Sequence, residues 1–392
     1  MHAPELLRYH PNRFIASRDF FRPLYNDYRR SNPPSDGILT NANAQVLYTR
    51  LALDFWNRQL ETLPIESRPK NTSRLVENFS LFCHVARFLH CGRNIFHLCP
   101  GLTDLLRLTD VDDVRWQSIR LPYTCFYLWF GPQPKWNLTG TTAAFDGAYV
   151  GHAQSPQGEC IEILLTTRDP GVELGAPFNY ATTPDPYYYF PFDIPDPAST
   201  VGHTLQQTVA TNDDFNPDFP LAEIPPEARR LASRHGVQLN ALPREKTAQG
   251  EAVAKMLHDL PIFRDALKLV VNSLCYLSSP SREVVTKYPE SDLTTAATAA
   301  PTALQRARAR NRAAREGYTL IHFCGESLRH LREGAPTGKE LSAHWRRGHW
   351  RNQAVGPGRS DHRLMWIRPT LVRRDKAEAG VPGRVYDVGP AT

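Results

Sequence analysis

The sequence predicts an α+β fold with a helical N-terminal part, an antiparallel sheet of three or more strands, further helices and a basic C-terminal β-hairpin. Three observations carry that expectation. Apolar residues recur at helical spacing in two well-separated segments, aromatic-rich runs of strand length lie between them, and a Gly-Pro-Gly turn near the end is flanked by Trp, His and Arg.

Residues 1–75 mix aromatic and Arg positions with Pro and Asn, and a helix is expected over 43–60. Residues 79–98 read as a second helix closed by Pro100, with a short one over 101–108. Residues 121–130, 143–150 and 160–165 have strand length with turn signals between them, which predicts an antiparallel meander. Residues 169–226 are proline-rich, notably over 184–191, and read as an ordered loop excursion or a flexible insertion, because proline interrupts central strands and helices.

Helices are expected again over 226–235 and 252–277. In the second, Met256, Leu257, Leu260, Phe263, Leu267, Val270, Val271 and Leu274 mark an apolar face that continues through Pro261. The Ala/Arg-rich stretch 291–316, with Arg306, Arg308, Arg310, Arg312 and Arg315, reads as a linker that is flexible or weakly helical. It would divide a body, 1–290, from a basic C-terminal recognition module, 317–392. Residues 321–326 fit either the end of a strand or the start of a helix.

With 41% hydrophobic and 22% charged residues, the composition is that of a soluble globular protein. No run approaches the ~20 apolar residues of a membrane helix, and the start lacks the pattern of a signal peptide. Seven scattered cysteines do not make a disulfide framework, so a cytoplasmic protein with no membrane partner is expected. Cys83, His84, His90, Cys91, His97 and Cys99 are crowded, but they contain no C-x-x-C pair and fall on helical spacing, so they read as core residues. Neither a metal nor a cofactor is expected. Phosphate loops, nucleophile elbows and the H-E-x-x-H zinc motif are missing from the sequence.

Charge is distributed unevenly. Residues 301–392 hold 18 Lys and Arg against 8 Asp and Glu, a balance of +10, and residues 1–300 carry 28 against 32, or −4. The basic end points to an anionic partner. Within it, three Trp, three His and six Arg fall in the 26 residues 344–369. His344, Trp345, Arg346, Arg347, His349, Trp350 and Arg351 lie on one arm of the expected hairpin, Arg363, Trp366 and Arg368 on the other, and Arg359 at the tip.

Guanidinium groups fork onto carboxylates, phosphates or backbone carbonyls and stack on aromatic faces, so the cluster suits an extended peptide or an RNA strand. The Trp residues read as anchors for that partner. No catalytic residue is assigned. The alternative is an RNA-binding protein or metal-free ribonuclease, with His344 and His349 as acid and base and Arg347 as the electrostatic clamp.

Arg347-Gly348-His349-Trp350, the turn over 356–358 and the strand ending Trp366-Ile367-Arg368-Pro369-Thr370-Leu371-Val372 resemble the C-terminal signature of the second-numbered family of type V-A anti-CRISPR inhibitors. Weaker echoes follow in order along the chain: the 79–98 helix, Leu121-Pro122 with Cys125, Ala144-Phe145-Asp146-Gly147, Leu274-Cys275 and Gly325-Glu326-Ser327-Leu328. The likeness spans roughly 80–372. It implies a protein of a phage or other mobile element, acting in the bacterial host cell on the synthesis of the type V-A CRISPR nuclease. The family recognises the nascent N-terminal peptide of that nuclease and causes loss of its mRNA. The partners implied are that peptide, with the ribosome or the mRNA beside it.

Overall fold

The computed structural model describes residues 4–16, 79–133, 136–138, 142–155, 158–169, 187–194, 196–211, 247–289, 291–315, 318–329 and 344–372. The helices expected over 43–60 and 226–235 lie outside them. The fold is α+β, and its centre is a mixed sheet of seven strands: β1 (Ile95–Leu98), β3 (Cys125–Trp129), β4 (Ala144–Ser155), β5 (Gly158–Arg168), β6 (Tyr187–Ile194), β7 (Val284–Lys287) and β8 (Ile321–Cys324). The short β2 (Thr109–Asp110) lies outside that sheet. The seven strands stand in the order β6-β5-β4-β3-β1-β8-β7. β1 runs parallel to both β3 and β8, and the remaining pairs are antiparallel.

Helices cover both faces. On one, α1 (His10–Ala16) and α2 (Phe79–His90) bury Phe14, Leu81, Val85 and Phe88 against Ile95, Tyr127, Tyr149 and Leu164. On the other, α3 (Pro100–Arg107) and α5 (Thr247–Ser278) pack on Phe96, Phe126, Leu128 and Ile163. α4 (Val201–Thr211) adds Val201 and Leu205 to the second core. Strands buried on both sides have no polar alternation, which is why Cys125–Trp129 reads as a continuous aromatic run.

The expected meander is present as β3-β4-β5. Four other expectations change. The 79–98 helix stops at His90, because Gly92 (φ 97°) and Arg93 (φ 62°) turn the chain out of helix, and Ile95–Leu98 becomes a sheet strand. The Pro/Tyr-rich segment contributes β6, where Pro191 sits opposite Glu162; β6 is an edge strand, the position in a sheet that tolerates proline.

Residues 291–316 form α6 (Asp292–Ala299) and α7 (Ala303–Arg315), the first opened by a reciprocal capping box between Ser291 and Thr294. Finally, β8 lies inside the body's sheet between β1 and β7, so residues 321–324 belong to the body. Pro261 lies inside α5 as expected.

Charged groups are buried in pairs. Arg13 donates to Asp146 at 2.8 Å, and Asp146, at a bulge in β4, also accepts from Thr166 at 2.8 Å. Arg87 donates to Glu162, which takes a further bond from the Tyr189 hydroxyl at 2.6 Å. Burial pushes the Glu162 carboxyl up, but His84, Arg87 and the two hydrogen bonds outweigh it and hold the group below its ordinary range. The crowded Cys and His residues serve packing. Cys99 caps α3 by accepting from the Leu102 N–H, and His84 stacks edge-on to Tyr189; the Cys83 side chain lies outside the described residues.

His97 Nδ1 is hydrogen-bonded to the Tyr9 hydroxyl at 2.8 Å, and the ring is enclosed by Trp129 and Phe323. Burial, and then the charges of Arg8, Arg329 and Lys287, lower its pKa to about 3. Because the folded value lies below the unfolded 6.5, this group's contribution to stability is complete above pH 6.5 and is lost as pH falls toward 3. Urea unfolding should therefore show a loss of about 2 kcal/mol between pH ~7 and pH ~5 that His97→Asn removes while keeping a hydrogen-bonding partner for Tyr9. Equal slopes in the two proteins would contradict the assignment.

Candidate functional site

The C-terminal residues form the expected hairpin. β10 (Gly348–Val355) pairs antiparallel with β11 (Asp361–Ile367), and β9 (His344–Arg346) with β12 (Thr370–Val372). Positive φ at Gly356 (83°), Gly358 (67°) and Arg359 (56°) closes the turn, so Arg359 is held at the tip in a left-handed conformation. Gly348 is required where the arm meets the body. A methyl there would come within 2.7 Å of both Pro369 Cδ and Thr109 Oγ1.

Period-2 alternation splits the hairpin into two faces. The inner face carries Trp350 opposite Trp366, stacked at 5.9 Å and 21°. Trp366 is only 8% exposed, meets Tyr276 of α5 edge-on at 5.7 Å, and donates its indole N–H to Thr109 Oγ1 at 3.1 Å. Trp350 donates to Asn272 Oδ1 of α5 at 2.7 Å. Asn272 in turn donates to the Thr109 carbonyl at 3.0 Å, and Thr109 Oγ1 donates to Leu105 O at 2.9 Å. Thr109 and Asp110, which make up β2, also pair in parallel with the start of β10. Both indole donors are thus satisfied inside the protein.

This changes the reading of the tryptophans. Trp350 and Trp366 anchor the hairpin to the protein's own body, and Arg368 lies over the Trp366 ring at 5.4 Å. Arg347 is exposed, and with Arg107 and Lys268 its charge offsets the upward push that burial gives the Asp265 carboxyl on α5.

The outer face is different. His349, Arg351 and Arg363 are exposed, with Met365 half-buried and Ile367 40% exposed among them. Arg346 and Arg359 extend the cationic surface, and Asp361 is the only acidic residue from 344 to 372. Among the described residues, none of Arg346, His349, Arg351, Arg359 and Arg363 forms an ion pair with an acidic side chain. The side chains of His344 and Trp345 lie outside the described residues, so the acid/base pair of the ribonuclease alternative is described only at His349.

Sequence reasoning missed Thr109, Asn272 and Tyr276, which hold the hairpin. Asn272 left a signal: an amide in the middle of α5's apolar stripe, 1% exposed, is a buried polar group that must have a partner. Thr109 left none.

No helix of the described residues is long and apolar enough to cross a membrane. A family model described as AcrVA2-like, the anti-CRISPR type V subtype A2 family, matches residues 96–374. A solved structure titled "Crystal structure of AcrVA2" is similar at 12% identity, covering 92% of this chain and 95% of that one, with a TM-score of 0.38. No curated protein matches the chain significantly.

The docking predicts how substitutions divide. Trp366→Ala should cost about 3–5 kcal/mol of stability, as for large aromatic truncations in a core. Trp350→Phe should cost about 1–2 kcal/mol by leaving the Asn272 oxygen without its donor, and adding Asn272→Ala should cost more again, because it also takes the donor from the Thr109 carbonyl. Arg351→Gln and Arg363→Gln should stay within about 0.5 kcal/mol of the parent. Chemical denaturation measures all four; a Trp366→Ala protein as stable as the parent would show that the indole is not an internal anchor.

Proposed function

The chain belongs to the anti-CRISPR type V subtype A2 family, and from that premise we propose that it lowers production of the type V-A CRISPR effector nuclease by recognising the nuclease's N-terminal polypeptide as it is translated, with loss of the mRNA following. The observation that carries the reading is the two-faced hairpin. Its inner face is fixed by the stacked indoles, leaving a rigid outer face of Arg and His with two apolar side chains between them. A surface held in place before binding loses little conformational freedom on association.

An unfolded nascent segment suits such a surface because its backbone carbonyls and side chains are all available. Arg351 and Arg363 can fork onto carbonyls or carboxylates, and Met365 and Ile367 can take an apolar residue between them. Reading the peptide ties the action to translation, since a nascent chain is present only on a message being read. In this reading the protein has no catalytic residue of its own, and destruction of the message falls to other factors.

Two measurements test the proposal in cells making the nuclease. Synonymous recoding of the nuclease's first codons should leave repression intact, whereas amino-acid changes there should relieve it. Arg351→Glu combined with Arg363→Glu should relieve repression in a protein that melts like the parent. Repression that follows the nucleotide sequence instead of the encoded residues would return the message-reading alternative.

A further inference from the structure

The arginines of α7 are not used by the hairpin reading. The helix, Ala-Leu-Gln-Arg-Ala-Arg-Ala-Arg-Asn-Arg-Ala-Ala-Arg from 303 to 315, contains no acidic residue. Its arginines fall on two sides. Positions 306, 310 and 313 step by four and three, and this side meets α6: Ala313 is fully buried, Arg306 donates to Ala300 O at 2.7 Å and Arg310 to Ala297 O at 3.4 Å. Those two arginines bond carbonyls at the C-terminal end of α6, where cations are favoured.

Leu304, Arg308 and Arg312 step by four on the opposite side, together with Asn311, and all are exposed, Leu304 by 62%. Arg308 and Arg312 form no ion pair among the described residues. Placed four apart on one stripe, they repel each other. An ordinary solvated helix face relieves this with an interleaved Glu or Asp, and α7 has none. The stripe is organised for negative charge supplied from outside.

We infer that this face of α7 is an RNA-backbone contact, a second binding surface separate from the hairpin, on which Arg308 and Arg312 engage successive phosphates without reading bases. Three features favour RNA over other anionic partners. Arginine forks match phosphate oxygens in two-point contacts. The stripe offers one apolar side chain, too little for the apolar core of a protein interface or for entry into a membrane. The helix is about 20 Å long and presents its charge in a line, which suits a polymer carrying one charge per residue. This surface does not depend on the nascent-peptide reading, and its test does not involve the nuclease.

Fluorescence anisotropy of the full-length chain against a labelled mixed-sequence RNA of about 30 nucleotides, titrated over a range of salt, decides the matter. The parent should bind with a clear salt slope. Arg308→Gln with Arg312→Gln should weaken binding about tenfold at physiological salt and flatten the slope by about 1.4, the expectation when two phosphates of a single strand are no longer neutralised. Its melting temperature should not fall, since the repulsion is relieved. Arg308→Lys with Arg312→Lys should keep most of the slope. The inference is overturned if the parent does not bind RNA, if the Gln pair binds with the parent's affinity and slope, if the Lys pair loses as much as the Gln pair, or if polyglutamate is bound in preference to RNA.

Discussion

Thr109 holds the C-terminal segment to the rest of the protein. It accepts the Trp366 indole N–H on its hydroxyl and the Asn272 amide on its carbonyl, and it pairs through β2 with the base of the hairpin. Gly348 lies against the same residue, at a distance no side chain would permit. Without this junction two large indoles would face water, and the hairpin would be a two-stranded ribbon of the kind that is marginal on its own. Everything proposed for the outer face assumes a surface fixed in position, and this small set of bonds fixes it.

The same junction explains what was legible in the sequence and what was not. The hairpin could be read because its turn is encoded locally by Gly356, Pro357 and Gly358 and its arms by flanking aromatic residues. α5 could be read through Pro261 because its apolar face is long. β1 could not, since Ile95–Leu98 is a mostly apolar run of four residues shortly after a helix of the same character, and its identity comes from two parallel neighbours distant in the chain. β6 was obscured by Pro191, whose meaning changes once the strand is known to lie at an edge. α6 and α7 resembled a linker because small and charged residues with few apolar positions give little periodicity. Their stability comes from a capping box and from arginines bonding a neighbouring helix end.

For the candidate site, the sequence marks a cluster of Trp, His and Arg but not which way each side chain faces. Trp350 and Trp366 stand out in the sequence, but a tryptophan in a basic strand gives the same signal whether it faces a partner or its own core. Only the register, which puts the two indoles opposite each other on the face toward α5, separates the possibilities. The arginines divide in the same way. Arg368 covers an indole, while Arg347, Arg351 and Arg363 are exposed. A basic cluster is therefore several populations of charge, and only part of it is available to a ligand.

That division also bears on why the basic charge of the chain is concentrated at its end. β8 lies within the main sheet, and β10 and β11 lean on α5, so the C-terminal segment is bound into the same cores as the preceding residues. Cationic side chains that bond helix carbonyls or cover an indole contribute to that packing without a negative partner. The remainder, on the hairpin's outer face and on α7, contributes nothing comparable to folding and repels itself. A folded protein tolerates such surfaces where their repulsion is small against the stability of the cores beneath them, and here each is mounted on an element held by buried contacts: the stacked indoles under the hairpin, and Ala313 with the Arg306 bond under α7. Rigid mounting and uncompensated charge together are what a preformed site for an anionic or carbonyl-rich chain requires.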